Sequence, residues 1–211
     1  MKRNASPRYP GGRGALWGVA ASLVGFAASY TLVSTRLSQF LETTVSTESS
    51  SFTLAELTQS AHVPVWKWAN LAFYSSHAMD VTVSGLPVDV RESTQQLNLL
   101  AEANGAFWVL LVVTPLVLVA AGALATRNAA NPTELRFDVF GTRKGRFFVS
   151  AGLVVFFGYF PLAVLGGILG SVSLDGNVTM RADLLKSVVI GGAAYPFLFG
   201  GLGGYLRSWL G

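Results

Sequence analysis

The chain alternates between four long uncharged runs and the polar segments that separate them. The runs cover residues 15–33, 105–126, 147–170 and 187–206. The third reads FFVSAGLVVFFGYFPLAVLGGILG, 24 residues without a charge. As a helix rising ~1.5 Å per residue it spans ~36 Å, enough for a hydrocarbon core of ~30 Å with some tilt. Backbone N–H and C=O groups in lipid need internal partners, so all four runs are predicted as helices despite their β-branched and aromatic residues. The first run exceeds the ~7–15-residue apolar region of a signal peptide and reads as an uncleaved span. The fold class this predicts is an all-α membrane protein: four transmembrane helices with an extracellular insertion between the first and second.

That insertion, residues 34–104, is too long and too patterned to be a bare loop. Residues 43–51, TTVSTESSS, read as a spacer. Thr53 and Glu56 have capping-box spacing, which starts a short helix. Pro64 suits the first turn of a second helix, from Val65 to about His77. This helix carries Trp66, Trp68, Phe73 and Tyr74. Two readings fit these rings. They are interfacial aromatics on a helix lying along the membrane surface, or they form the core of a small external subdomain. Val81 and Val83 then alternate with polar residues before Ser84-Gly85-Leu86-Pro87, Val88 and Val90, the pattern of a short hairpin or extended turn. In the 127–146 loop, Leu135, Phe137, Val139 and Phe140 alternate with charges, which suggests a short extended or surface-lying element.

Charge then orients the spans. The net charge is +4, but only 12% of residues are charged, against about 25% in a soluble domain. The positive residues sit beside the apolar runs, so they read as topology signals and not as a nucleic-acid face. The tail 1–14 carries Lys2, Arg3, Arg8 and Arg13 and no acid. The loop 127–146 is also basic and ends in Arg143, Lys144 and Arg146, a cluster that anchors topology or attracts anionic lipid at about 1 kcal/mol per residue. The insertion carries three basic and seven acidic residues, net −4. The tail, the 127–146 loop and the end 207–211 are therefore placed in the cytoplasm. The insertion and the 171–186 loop are placed outside a cell membrane. The chain has no cysteine, which excludes disulfides, thiolate metal sites and cysteine catalysis.

Candidate chemistry is sparse. G-x-x-x-G pairs occur at Gly166/Gly170 and Gly200/Gly204, with Gly192 two turns before the second pair. Gly14, Gly18 and Ser22 make a similar small-residue face on the first span. Pro115, Pro161 and Pro196 lie within spans and are expected to kink them. These features fit close helix packing or an inverted repeat with broken helices lining a transport path. No span contains Asp, Glu, Lys, Arg or His, which argues against a proton relay or an intramembrane metalloprotease. His77 and Asp80 have the i, i+3 spacing of a helical metal pair, but two ligands do not make a site, and His77 reads as a surface residue. Asn177-Val178-Thr179 is a glycosylation sequon in an outer loop. No nucleotide-binding, zinc-protease or serine-hydrolase motif is present. No catalytic, cofactor or metal residue is predicted.

The stretch Val65-Trp66-Lys67-Trp68, with Phe73-Tyr74-Ser75-Ser76-His77 after it, sits between a first span and three later ones. In this it resembles a group of uncharacterised haloarchaeal four-span membrane proteins. The resemblance implies the architecture and no activity. The expected function is a non-enzymatic membrane module for partner interaction or assembly, or alternatively a small transporter or channel subunit with proline-kinked helices. The expected partners are the bilayer and a second copy or another membrane protein, with no nucleic acid.

Overall fold

The computed structural model describes residues 11–58, 62–86, 94–103, 105–127, 143–174 and 177–209, except for the side chains of 11–13, 143, 144 and 146. Among the described residues, four helices are long and apolar enough to cross a membrane: Gly14–Thr35, Ala106–Ala125, Phe147–Leu169 and Leu184–Arg207. They carry Leu23, Val112, Leu116, Phe157, Leu165 and Leu198 on their outward surface. An apolar exterior of this kind suits lipid and not water.

The first span belongs to α1 (Gly11–Thr35). The second is α6 (Val109–Ala125), entered through a 3₁₀ turn, Ala106–Trp108. The third is α7 (Arg143–Leu169). The fourth is composite: one turn of α8 (Leu184–Lys186), a π-helical stretch Ser187–Ala194, then α9 (Tyr195–Arg207). Gly192, Gly200 and Gly204 face Ala163, Val155 and Ala151 in turn, so α7 and α9 run antiparallel. Thr35, Ala106, Leu169 and Leu184 therefore gather at one end of the bundle. The segments that join them there form a cap.

The cap corrects the all-α expectation, because it contains two small sheets. After α2 (Leu37–Leu41), the serine- and threonine-rich stretch forms a hairpin of β1 (Thr44–Ser46) and β2 (Ser51–Thr53). Next come α3 (Leu54–Leu57), α4 (Val65–Ser75) and β3 (Val81–Ser84). β3 pairs antiparallel with β4 (Thr94–Leu97) on one side and β6 (Thr179–Ala182) on the other; β6 in turn pairs with β5 (Val172–Ser173). Residues 88–90, expected as the second arm of a hairpin, lie outside the described residues. So do 128–142, which hold the alternating stretch of the basic loop. The connection between the third and fourth spans was expected as a loop, yet it supplies two strands. Val178, Met180 and Ala182 are buried while Thr179 and Arg181 are exposed, the two-residue period of a strand packed on one face.

Side chains close the cap locally. Thr53 Oγ1 accepts from the Glu56 amide at 3.2 Å, and Glu56 Oε2 accepts from the Thr53 amide at 2.7 Å. That backbone bond holds the Glu56 carboxyl below its usual pKa. α5 (Leu99–Glu102) is capped by Asn98, whose Nδ2 also donates to Ser75 O and Met79 O. Val33, Phe40, Leu54, Trp68, Leu71, Val81, Leu99, Phe107 and Met180 form one core that joins the cap to the cap-side ends of the spans.

Candidate functional site

α4 does not lie along a surface, and it is not confined to the cap. It enters the bundle from the cap end and descends antiparallel to α7. Lys67 Nζ donates to Ser171 O at 2.9 Å. One turn on, Asn70 Nδ2 donates to Gly166 O at 3.0 Å. Tyr74 OH donates to Ala163 O, and His77 Nε2 lies 2.6 Å from Tyr159 OH. Counting ~1.5 Å per residue from the cap-side end of each span gives the depth. Tyr159 lies about 15 Å down, Thr114 about 12 Å and Tyr195 about 16 Å. Phe26, edge-on to Phe73, lies about 14 Å down. Thr114, Tyr159 and Tyr195, one from each of the last three spans, thus meet the end of α4 near the middles of those spans.

Of the two readings of Trp66, Trp68, Phe73 and Tyr74, burial removes the interfacial one for Trp68, Phe73 and Tyr74 and leaves it for Trp66. Only Trp66 is exposed; Trp68 is buried in the cap core and Phe73 and Tyr74 within the bundle. The surface reading failed because lipid and protein interior accept the same apolar rings.

Glycines make the room. A Cβ at Gly170 would lie 1.9 Å from Asn70 Nδ2, one at Gly166 2.7 Å from Tyr74 OH, and one at Gly25 2.8 Å from Phe73 Cε2. The G-x-x-x-G of span three therefore receives α4, whereas Gly192, Gly200 and Gly204 pack span four against span three. Pro115 and Pro161 lie inside α6 and α7, and Pro161 faces outward. Pro196 is buried in the first turn of α9. It follows the π-helical stretch, whose unusual winding ends where proline offers no N–H. Arg143, Lys144 and Arg146 begin α7. Asn177 is exposed, with φ 69°.

The end of α4 is polar. Ser75, Ser76 and His77 are at most 1% exposed. His77 Nδ1 lies 2.8 Å from Phe73 O; a carbonyl only accepts, so Nδ1 carries a hydrogen. In the neutral ring Nε2 is then the acceptor, and Tyr159 donates to it. Ser76 gives its one hydroxyl hydrogen to Phe73 O at 2.6 Å. Thr114, 2.7 Å away, must therefore donate to Ser76. Tyr195 stacks edge-on to the imidazole, with ring centroids 4.9 Å apart. Ser75 Oγ and Ser187 Oγ are buried with no hydrogen-bond partner among the described residues.

The structure also separates the histidine from the acid paired with it by spacing. α4 ends at Ser75, and Ala78 turns the chain back with φ 56°. Asp80 emerges beside Lys186, 3.7 Å away on the cap. His77 is thus no surface residue and shares no helix with Asp80. His62 is exposed. Among the described residues no three His, Asp or Glu side chains come together as a metal site.

A model of a family of unknown function, DUF7978, matches residues 1–211. The chain belongs to this family. Comparison with curated proteins and with solved structures found no match.

Among the described residues of this DUF7978 chain, the hydrogen bond from Tyr159 is the contact that satisfies His77 Nε2. Tyr159→Phe removes the donor and leaves a buried acceptor, a loss of about 1–3 kcal/mol. The expected result is a thermal midpoint several degrees lower in detergent. An unchanged midpoint would show that the bond contributes nothing.

Proposed function

We propose that the protein is a small transport-type membrane protein in which α4 sets a polar binding point at the middle of a four-helix bundle. One observation carries this reading: His77, bonded to Tyr159, is buried at the end of α4 near the middles of the second, third and fourth spans. An ionisable side chain inside a membrane is costly and is retained for a task. Half-length helices that stop at mid-membrane bring carbonyls and polar side chains to a substrate there, and irregular backbone is tolerated at that depth only inside protein. The reading as a passive module for partners leaned on the absence of ionisable groups from the spans. α4 supplies one from outside them.

Charge supports a location in the cell membrane with both termini cytoplasmic and the cap outside. The N-terminal tail, the 127–146 loop and Arg207 are basic, and the insertion is net −4. Cysteine introduced at Glu48 should react with an impermeant reagent on intact cells and cysteine at Glu134 should not; the reverse would overturn the orientation. Transport is tested with the purified chain in vesicles, measuring movement of protons, Na⁺, K⁺ and small neutral solutes against protein-free vesicles. At least one should move at least tenfold faster. No movement of any of them would overturn the reading.

A further inference from the structure

We infer that His77 is a proton-binding site approached from the cap end, with Tyr159 as its hydrogen-bond partner and an apolar layer beneath it as the barrier. This names the cargo of the transport site and rests on that reading.

The surroundings of His77 favour a proton over a larger cation. The facing parts of α1, α6, α7 and α9 contain no charged side chain. The groups at or beside the ring are Phe73, Tyr74, Ser76, Tyr159 and Tyr195. Lys67 is bonded more than two turns above, at Ser171; Asp80 and Lys186 pair on the cap. A metal cation would arrive with no carboxylate to meet it. A proton needs only the imidazole lone pair. The polar contacts here are also short, 2.6–2.8 Å between His77, Tyr159, Phe73 O, Ser76 and Thr114. Adding a proton at Nε2 needs only a rotation of the Tyr159 hydroxyl, whereas a solute requires heavy atoms to part.

The approach is one-sided. Lys67, Asn70, Tyr74 and His77 make one polar stripe down α4, at three- and four-residue steps. The stripe runs against the carbonyls of Ser171, Gly166 and Ala163. Beyond His77, Leu118, Ala121 and Val155 close the bundle, none more than 4% exposed. They lie about 18–22 Å below the cap-side ends of their spans.

The binding step balances simply. A proton adds to the Nε2 lone pair, the Tyr159 hydroxyl turns to accept from the new N–H, and Nδ1–H stays on Phe73 O. Release reverses each bond. One proton binds, one leaves, and no electron moves.

The test uses the full chain in vesicles with a trapped pH-sensitive dye and a potassium diffusion potential. Wild type should pass protons at least tenfold faster than protein-free vesicles. His77→Gln should lose that flux, and Leu118→Ser, which wets the barrier, should raise it. Because His77→Gln can fail by misfolding, ¹⁵N-imidazole spectra of the wild type in nanodiscs give a second measure; His62→Gln identifies the two histidine signals. The His77 signal should shift on acidification while the protein stays folded. A ring that never protonates, or a folded His77→Gln that conducts like wild type, overturns the inference. Movement of another solute without protons also overturns it but leaves the transport reading standing. No flux of any kind removes both.

Discussion

Gly158→Val should abolish the folded four-helix bundle. A Cβ at this position would sit 1.8 Å from Ala15 O and 2.9 Å from Val19 N on the facing helix. The approach is mutual, because a Cβ at Gly18 would lie 2.1 Å from Val155 O. What stands in the way is main chain on both sides, so no rotamer change can relieve the clash. Spans one and three would have to separate along their contact. In lipid no hydrophobic force holds helices together, so close packing is the contact that would be lost. Overpacking costs about 1–3 kcal/mol where neighbours can yield, and more where they cannot. Gly122→Val should behave alike, since its Cβ would lie 1.8 Å from Gly200 O. Gly167→Ala is the control. Its nearest neighbour is Ser187 Cβ at 3.3 Å, so a shift of a few tenths of an ångström accommodates the methyl group. Monodisperse yield after detergent extraction and thermal midpoint check the series. A Gly158→Val protein as stable as wild type would refute this account of the helix crossing.

Neither Gly158 nor Gly122 stands out in the sequence, and the reason is general. The spans are legible because each is a property of one continuous segment: length, absence of charge, and flanking arginine and lysine. Pairing between segments is not. G-x-x-x-G at Gly166/Gly170 announces a smooth face without saying what lies on it, and the occupant proves to be Asn70 and Tyr74 of α4. The strand Val81–Ser84 shows in its alternation, but its partner Thr179–Ala182 lies nearly a hundred residues on. Residues 178–182 alternate in the same way, so the second strand could have been read too; the register could not.

The position of α4 is hidden in the sequence for a more specific reason. At 11 residues it is too short to cross a membrane, so reading length alone assigns it to the cap. A signal against a surface position was present. Trp68, Ala69, Leu71, Ala72 and Phe73 wrap most of its circumference, whereas a surface helix keeps one broad polar face. Its polar residues instead form the narrow stripe Lys67, Asn70, Tyr74 and His77. A stripe of that kind on an otherwise apolar helix fits a helix surrounded by protein or lipid and bonded along one edge. The four uncharged runs themselves contain no Asp, Glu, Lys, Arg or His, and the histidine arrives among them on an inserted helix.

Trp68→Ala and Trp66→Ala separate the two placements of this helix. Trp68 is 2% exposed and meets Phe40 edge-on, with ring centroids 6.2 Å apart; Phe40 in turn meets Phe107 at 5.3 Å. Removing the indole leaves a large cavity where α4 passes from the cap into the bundle. The expected loss is about 3–5 kcal/mol, of which roughly 0.5–1.5 kcal/mol belongs to the aromatic contacts. Much of a native stability of about 5–15 kcal/mol would go. Trp66 is 41% exposed at the start of the same helix, with Lys67 Nζ 5.7 Å from its ring centre. Its removal should cost no more than about 1 kcal/mol, the scale of an exposed cation–π contact. A helix lying on the membrane surface would instead use both indoles as anchors, and both substitutions would weaken it to a similar, modest degree. Thermal midpoints of the two variants in one detergent therefore decide the matter: a large gap supports the inserted helix, and equal small shifts would return α4 to the surface and take the buried site with it.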